Sequence, residues 1–93
     1  MNILQTNIFK KSVKKLHANQ KEDLDKAIKA IIENPSIGQT KTGDLSHICV
    51  YKFNIVKQLT LIAYTYEDQT ITLTLLALGR DENFYRDLKK SSF

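Results

Sequence analysis

Two stretches of the chain carry side chains that could stabilise developing negative charge and move protons. The first, KTGDLSHICVYKF, spans residues 41–53, and the second, LGRDENFYRDLKK, spans residues 78–90. Cations and hydrogen-bond donors suit a phosphate-like transition state, and a phenol can also supply a proton. The candidates of these types are Lys41, Lys52, Arg80, Tyr85, Arg86 and Lys89. His47 and Asp81 are the candidate bases, because an imidazole titrates near neutral pH and a carboxylate accepts protons.

The second stretch also has a structural interpretation. Residues 81–83 suit the N-terminus of a short last helix, where anions and small acceptors satisfy free amides. Phe84 and Leu88, four residues apart, would then dock that helix. Arg80 and Tyr85 are left without an obvious packing role, so we expect them to make functional contacts.

Length and composition predict one domain, residues 1–93, with one core. The chain has 93 residues and 42% hydrophobic content. Its apolar runs are too short for a membrane helix, and its start lacks a signal-peptide pattern, so we expect a cytoplasmic protein that makes no membrane contact. Cys49 is the only cysteine, which excludes an internal disulfide and a cysteine metal cluster, and its strand parity makes it a core residue. No cofactor or metal is expected.

Positive charge is concentrated in the first part of the chain. Ten of the fourteen Lys and Arg residues lie in residues 1–57, and the net charge is +4. An anionic partner, such as nucleic acid, the ribosome or an acidic protein segment, is one interpretation. The other is a soluble basic protein with a solvated lysine face, and the charge alone does not choose between them.

Two helices are predicted near the start, after a short apolar segment, Asn2 to Gln5, suited to a sheet edge. Thr6 or Asn7 can cap the first helix, whose apolar side carries Phe9, Val13 and Leu16. Asn19 is expected to cap the second helix. Its apolar stripe is Leu24, Ala27, Ile28 and Ile31, and Asn34 with Pro35 should end it.

The pattern then changes to the period of two that is typical of strands. Strands are expected from Ile48, over residues 59–66 and over residues 70–78, with a hairpin turn at residues 67–69. Ile71, Leu73 and Leu75 should meet the helices, and the threonines between them should be less buried. The predicted fold is therefore α+β: an antiparallel sheet in the order β-α-α-β-β-β, with a short C-terminal helix, packed against a helical hairpin.

That order, with KTGDL, VYKF, LTLIAY, LLALG and ENFYRDLKK, resembles the RelE/ParE superfamily of toxins from bacterial type II toxin-antitoxin systems, over essentially the whole chain. The resemblance implies a growth-inhibiting protein that a cognate antitoxin neutralises, usually a DNA-binding one. It leaves two activities open. RelE-like members cut mRNA in the ribosomal A site without a metal, whereas ParE-like members bind DNA gyrase without catalysing a reaction.

The resemblance assigns Lys52 to the catalytic face and Tyr85 to base stacking or proton transfer. Several positions depart from it. Asn54 and Leu61 stand where RelE-like nucleases carry a lysine and an arginine, and Asp81 stands where a related group has a catalytic histidine. His47 is the substitute candidate, although a lone loop histidine is more often solvated or capping. Our leading hypothesis is the mRNA endonuclease, and a gyrase inhibitor or an inactive relative are the alternatives.

Overall fold

A computed structural model describes residues 1–40, 43, 47–80, 84, 86 and 88, and the account below concerns these residues. Its helices are α1 (Asn7–Lys14) and α2 (Ala18–Glu33), followed by a 3-10 turn at Pro35–Ile37. Its strands are β1 (Asn2–Gln5), β2 (Gln39–Thr40), β3 (Cys49–Ile55), β4 (Gln58–Glu67) and β5 (Thr72–Gly79). They form one five-stranded sheet in the order β1-β5-β4-β3-β2. The α+β class and the three-strand meander are confirmed.

The sheet is mixed, which differs from the antiparallel sheet predicted from the sequence. β1 is an edge strand, as expected, but it pairs with β5 in parallel. Parallel strands need a long crossover connection, and the chain provides one, because β1 leads directly into α1 and reaches β5 only at the end of the meander. Thr6 fixes this connection, because its hydroxyl donates to the Leu76 carbonyl (2.6 Å) and accepts from the Phe9 amide (3.1 Å) at the start of α1.

The helices cover one face of the sheet. Phe9 of α1 and Leu24, Ala27 and Ile31 of α2 are buried there, as their spacing predicts. From the sheet, Ile62, Tyr64, Leu73 and Leu75 complete the core. The prediction for Ile71 was wrong, because β5 begins at Thr72. Ile71 lies in the preceding turn, with a positive φ of 50° and a 53% exposed side chain.

The opposite face has its own apolar cluster. Ile48, Val50, Leu61, Ala63, Leu76, Ala77, Phe84 and Leu88 form it. Phe84 and Leu88 are helical and buried, so they dock the part of the chain that carries them on this face. We call this part, with its described residues 84, 86 and 88, the C-terminal segment. A bulge assists the packing, because Ala63 pairs with Ala77 and Tyr64 with Leu75, which leaves Leu76 as the extra residue of β5.

Helix α2 begins differently from the prediction. His17 is the N-cap, and its amide donates to Gln20 Oε1 (2.7 Å). Asn19 instead lies inside the first turn, with its Oδ1 accepting from the Gln20 amide (3.0 Å). The pattern of a cap followed three residues later by Glu or Gln therefore occurs two residues earlier in the chain than expected. The C-terminal end at Asn34 is confirmed.

Candidate functional site

Lys52 lies exposed in the middle of β3, on the face that carries the C-terminal segment. It pairs with Leu61 of β4, and Leu61 pairs with Gly79 at the end of β5. The three residues thus form one row across the sheet, in which adjacent strands are about 4.8 Å apart. The Cα atoms of Lys52 and Gly79 are therefore ~10 Å apart.

Gly79 is the place where the C-terminal segment meets this row. A Cβ added to Gly79 would lie 2.9 Å from Cγ and 3.0 Å from Cβ of Phe84, and closer still to Cδ2. The Phe84 side chain therefore occupies the space that any larger residue at position 79 would need. Arg86, two residues further on, is exposed.

Two neighbours of Lys52 do not add positive charge. Leu61 is only 4% exposed and belongs to the apolar cluster, and Asn54 is exposed on the same strand and face as Lys52. The resemblance places cations at both positions in nucleases. Among the three residues of this row, Lys52 is the cation.

His47 lies away from this row, beside the opposite end of the sheet. It lines a cleft of about 380 Å³ together with Thr40, Cys49, Tyr66 and Asp68. Cys49, which shares that cleft, is three residues from Lys52 along β3, or ~10 Å at 3.3 Å per residue. His47 precedes Cys49 in the chain, so the structure does not bring it to Lys52.

Tyr64 binds the backbone of two residues that line the His47 cleft, Pro35 and Gly38. Its phenol is buried, donates to the Pro35 carbonyl (2.6 Å) and accepts from the Gly38 amide (2.9 Å). Burial raises the pKa of Tyr64 above the ordinary 10.0, although the bond from the Gly38 amide acts in the opposite direction. Tyr64 therefore has a packing role, because it ties the segment after α2 to the sheet.

Arg80 lines a cleft that Lys52 does not line, although Gly79, at the end of the Lys52 row, lines it as well. This cleft of about 350 Å³ lies between the end of the sheet and the link between α1 and α2, and we call it the α1–α2 cleft. Lys15 and His17 line the same cleft. The sequence assigned Lys15 to a solvated helix face, which its exposure confirms, but no local pattern indicated its proximity to Arg80.

Several predicted site residues fall outside the described residues: Lys41, Asp81, Tyr85 and Lys89. Within the described part of the chain, no group of three or more His, Cys, Asp or Glu side chains is placed to hold a metal ion. The described helices also include none that is long and apolar enough to cross a membrane.

Comparison with known proteins gives one family match. The matching family is described as the ParE-like toxin of type II bacterial toxin-antitoxin systems, and the match covers residues 3–89. No curated protein sequence matches the chain.

Several solved structures have a similar fold. A free-state mutant of E. coli toxin RelE superposes with a TM-score of 0.73 at 17% identity, covering 98% of this chain and 97% of that one. RelE in the intact E. coli RelBE toxin-antitoxin complex gives 0.71 at 18%, covering 87% and 96%. The RelBE2 toxin-antitoxin complex of Mycobacterium tuberculosis gives 0.66 at 13%, covering 86% and 96%. At these identities the likeness concerns the fold.

Proposed function

The chain belongs to the ParE-like toxins of type II bacterial toxin-antitoxin systems, and on this basis we propose that it inhibits growth as a ribosome-dependent, metal-independent mRNA endonuclease. Lys52 and Arg86 stabilise the negative charge on the scissile phosphate in this proposal. Tyr85 stacks on a base or donates a proton to the leaving group.

The observation that supports the proposal most is the packing of Phe84 against Gly79. Gly79 ends the row that begins at Lys52, so the C-terminal segment is held on the same face as Lys52.

The position of His47 argues against it as the base. His47 lies beyond Cys49, which is itself ~10 Å along the strand from Lys52. A general base has to reach the proton that it removes directly or through one water molecule. Asp81 is the other candidate base in the sequence, so we assign the base to its carboxylate in this proposal.

The reaction would proceed without a covalent enzyme intermediate. Asp81 takes the proton of the ribose 2′-hydroxyl, and the 2′-oxygen attacks the adjacent phosphorus. Lys52 and Arg86 stabilise the extra negative charge of the pentavalent phosphorane. The bond to the 5′-oxygen breaks, and that oxygen receives a proton from Tyr85. The products are a 2′,3′-cyclic phosphate and a 5′-hydroxyl end.

Primer extension on a translated mRNA tests this proposal. Purified protein added to translating ribosomes should produce cuts within codons, and a 2′-O-methyl group at the cut position should abolish them. Lys52→Ala and Tyr85→Phe should each lower the cleavage rate by about 10²-fold or more. The matched control is Lys29→Ala, which removes an exposed lysine on α2. Intact mRNA at enzyme concentrations that arrest growth would refute the proposal.

Inhibition of DNA gyrase is a second candidate, and the surroundings of Lys52 favour it. Leu61 is buried in the apolar cluster next to Lys52, and Asn54 is neutral, so the face has fewer phosphate-binding groups than the resemblance predicts for a nuclease. A binding toxin needs no base or acid. A gyrase supercoiling assay on the same preparation distinguishes the two activities, because gyrase inhibition with intact mRNA supports binding alone.

A cognate antitoxin is the expected partner under either activity. Toxins of similar fold are seen with antitoxins in the E. coli RelBE and M. tuberculosis RelBE2 complexes. We propose that a DNA-binding antitoxin neutralises this chain in the cytoplasm, where ribosomes, mRNA and gyrase are found. Co-expression with the short reading frame adjacent to its gene should restore growth and yield a complex that co-purifies.

A further inference from the structure

Strand β1 leaves one side of its backbone free for another strand. Among the described strands it lies at the edge of the sheet, with β5 on its inner side. The amides of Asn2 and Thr6 donate inward, to carbonyls of β5 and of the turn before it, at 2.9 Å and 3.1 Å. Because successive residues of a strand direct their backbone groups to opposite sides, Ile3 and Gln5 direct theirs outward. The outer edge therefore offers the N–H and C=O groups of both residues.

The side chains along this edge are uncharged, and several are apolar. Ile3 and Leu4 are 43% and 54% exposed, and they lie on opposite faces of the sheet. Ile8, at the start of α1, and Ile71, in the turn before β5, are exposed as well. Residues 2–9, NILQTNIF, include no charged side chain. Such an edge is a template for pairing with another strand, because it lacks the charges and prolines that block pairing.

The pattern of outward groups is self-complementary. When a second copy approaches in the antiparallel direction with Leu4 opposite Leu4, Ile3 of each copy lies opposite Gln5 of the other. Both pairs then exchange N–H···O=C bonds, which uses every outward group of this strand. The two Leu4 residues form the pair between them, with their backbone groups directed to β5 and their Cα atoms about 4.5 Å apart. A two-fold axis through this pair closes the interface, so it produces a dimer and not a filament.

We propose that β1 pairs with β1 of a second copy of this chain and joins the two sheets into one. Two copies bring no like charges together along residues 2–9, and the same stretch offers no cation to an acidic peptide. The charge pattern therefore favours a second copy as the occupant. Because β5 and β4 lie between β1 and β3, the seam leaves Lys52 exposed. The dimer thus does not depend on either toxin activity.

Sedimentation equilibrium of the purified full chain measures this association. We expect a monomer–dimer equilibrium with a dissociation constant of ~10–100 μM, because so short a seam is at the small end of specific interfaces. The constant should stay level or fall as salt is raised, since each copy carries a net charge of +4 that salt screens. A chain that stays monomeric at ~1 mM, which is well above the expected constant, would refute the proposal.

Matched variants locate the seam. Leu4→Lys places two like charges on the two-fold axis and should weaken dimerisation about tenfold or more. Gln5→Pro removes an outward N–H from each copy without touching the bonds to β5, and it should have a similar effect. Leu59→Lys is the control, because Leu59 is 52% exposed near the start of β4, and it should leave the dissociation constant unchanged. Equal weakening in Leu59→Lys, or none in Leu4→Lys, would overturn the proposal.

Cysteine cross-linking tests the register. In a Cys49→Ser background, Leu4→Cys should form a disulfide-linked dimer under mild oxidation, because its two Cα atoms are about 4.5 Å apart in the proposed pairing. Asn2→Cys lies on the same strand and face, but its two copies would be ~13 Å apart, beyond the reach of a disulfide. Cross-linking of Asn2→Cys as fast as of Leu4→Cys would contradict this register. A monomer whose binding to the cognate antitoxin is abolished by Leu4→Lys would assign the edge to the antitoxin and overturn the proposal.

Discussion

Replacing Tyr64 by Phe tests how the segment after α2 is held to the sheet. The substitution removes one oxygen atom and no carbon, so it leaves at most a very small cavity. It breaks the bond to the Pro35 carbonyl (2.6 Å) and the bond from the Gly38 amide (2.9 Å). Both backbone groups then lose their partner in a half-buried place.

The size of the effect follows from these two bonds. Leaving a buried polar group unpaired costs about 1–3 kcal/mol, and water can partly replace the phenol because Pro35 and Gly38 are only half-buried. We therefore expect the free energy of unfolding to fall by about 1–3 kcal/mol. For a domain of this length that corresponds to a melting temperature lower by ~5–20 °C.

Urea unfolding followed by circular dichroism measures this change. The dependence on urea should keep its slope, because the folded state buries nearly the same surface. Tyr66→Phe is the matched control on the same strand and face, and its half-buried side chain should change stability by less than ~0.5 kcal/mol. An equally small change in Tyr64→Phe would refute the role given to its phenol.

The pH dependence gives an independent check. Burial raises the pKa of Tyr64 in the folded state, so the unfolded chain loses this proton first as the pH rises. The stabilisation is complete below pH 10, the ordinary value, and is lost as the pH rises above it. Wild type should therefore lose stability from pH 9 to pH 11 more steeply than Tyr64→Phe, and parallel curves would contradict the raised pKa.

Three further variants test local features by the same unfolding assay. Thr6→Ala removes the N-cap of α1 and the bond to β5, so it should cost about 1–2 kcal/mol; a loss below ~0.3 would show that water replaces the cap. Gly79→Ala should cost about 1–3 kcal/mol, because the new methyl group would collide with Phe84, and no loss would contradict that packing. Replacing Val56 and Lys57, which have positive φ of 46° and 69°, by Asn and Gly should stabilise the protein by about 1 kcal/mol; destabilisation would show that their side chains matter more than the turn.

The periodic parts of the chain were predicted well because their signals are local. The apolar stripe of α2 is confirmed, and so is the end of that helix at Asn34. The strand expected from Ile48 also shows its period of two, since Tyr51 and Phe53 pack toward the helices while Lys52 is exposed on the other side. Each of these features depends on residues that are neighbours in the sequence.

Features that depend on distant pairing were missed or wrong. The parallel pairing of β1 with β5 joins residues about seventy positions apart, and a four-residue apolar segment does not reveal its partner. The turn at Val56 and Lys57 lacks the usual Asn-Gly signal. The Val56 amide donates to Asp23 Oδ2 (2.8 Å), so a side chain of α2 helps to hold a turn that the local residues disfavour.

The positions of Lys52 and Arg80 show why the residue types alone could not define the site. From the sequence, both cations were assigned to one phosphate. Lys52 lies on the face that carries Phe84, whereas Arg80 lines the α1–α2 cleft with Lys15. Gly79 lies between them: it ends the Lys52 row at the packed Phe84 side chain, and with Arg80 it also lines the cleft floored by Thr60 and other residues of the helix-covered face. Loss of Lys52 should therefore lower the cleavage rate more than loss of Arg80, which does not share its surroundings.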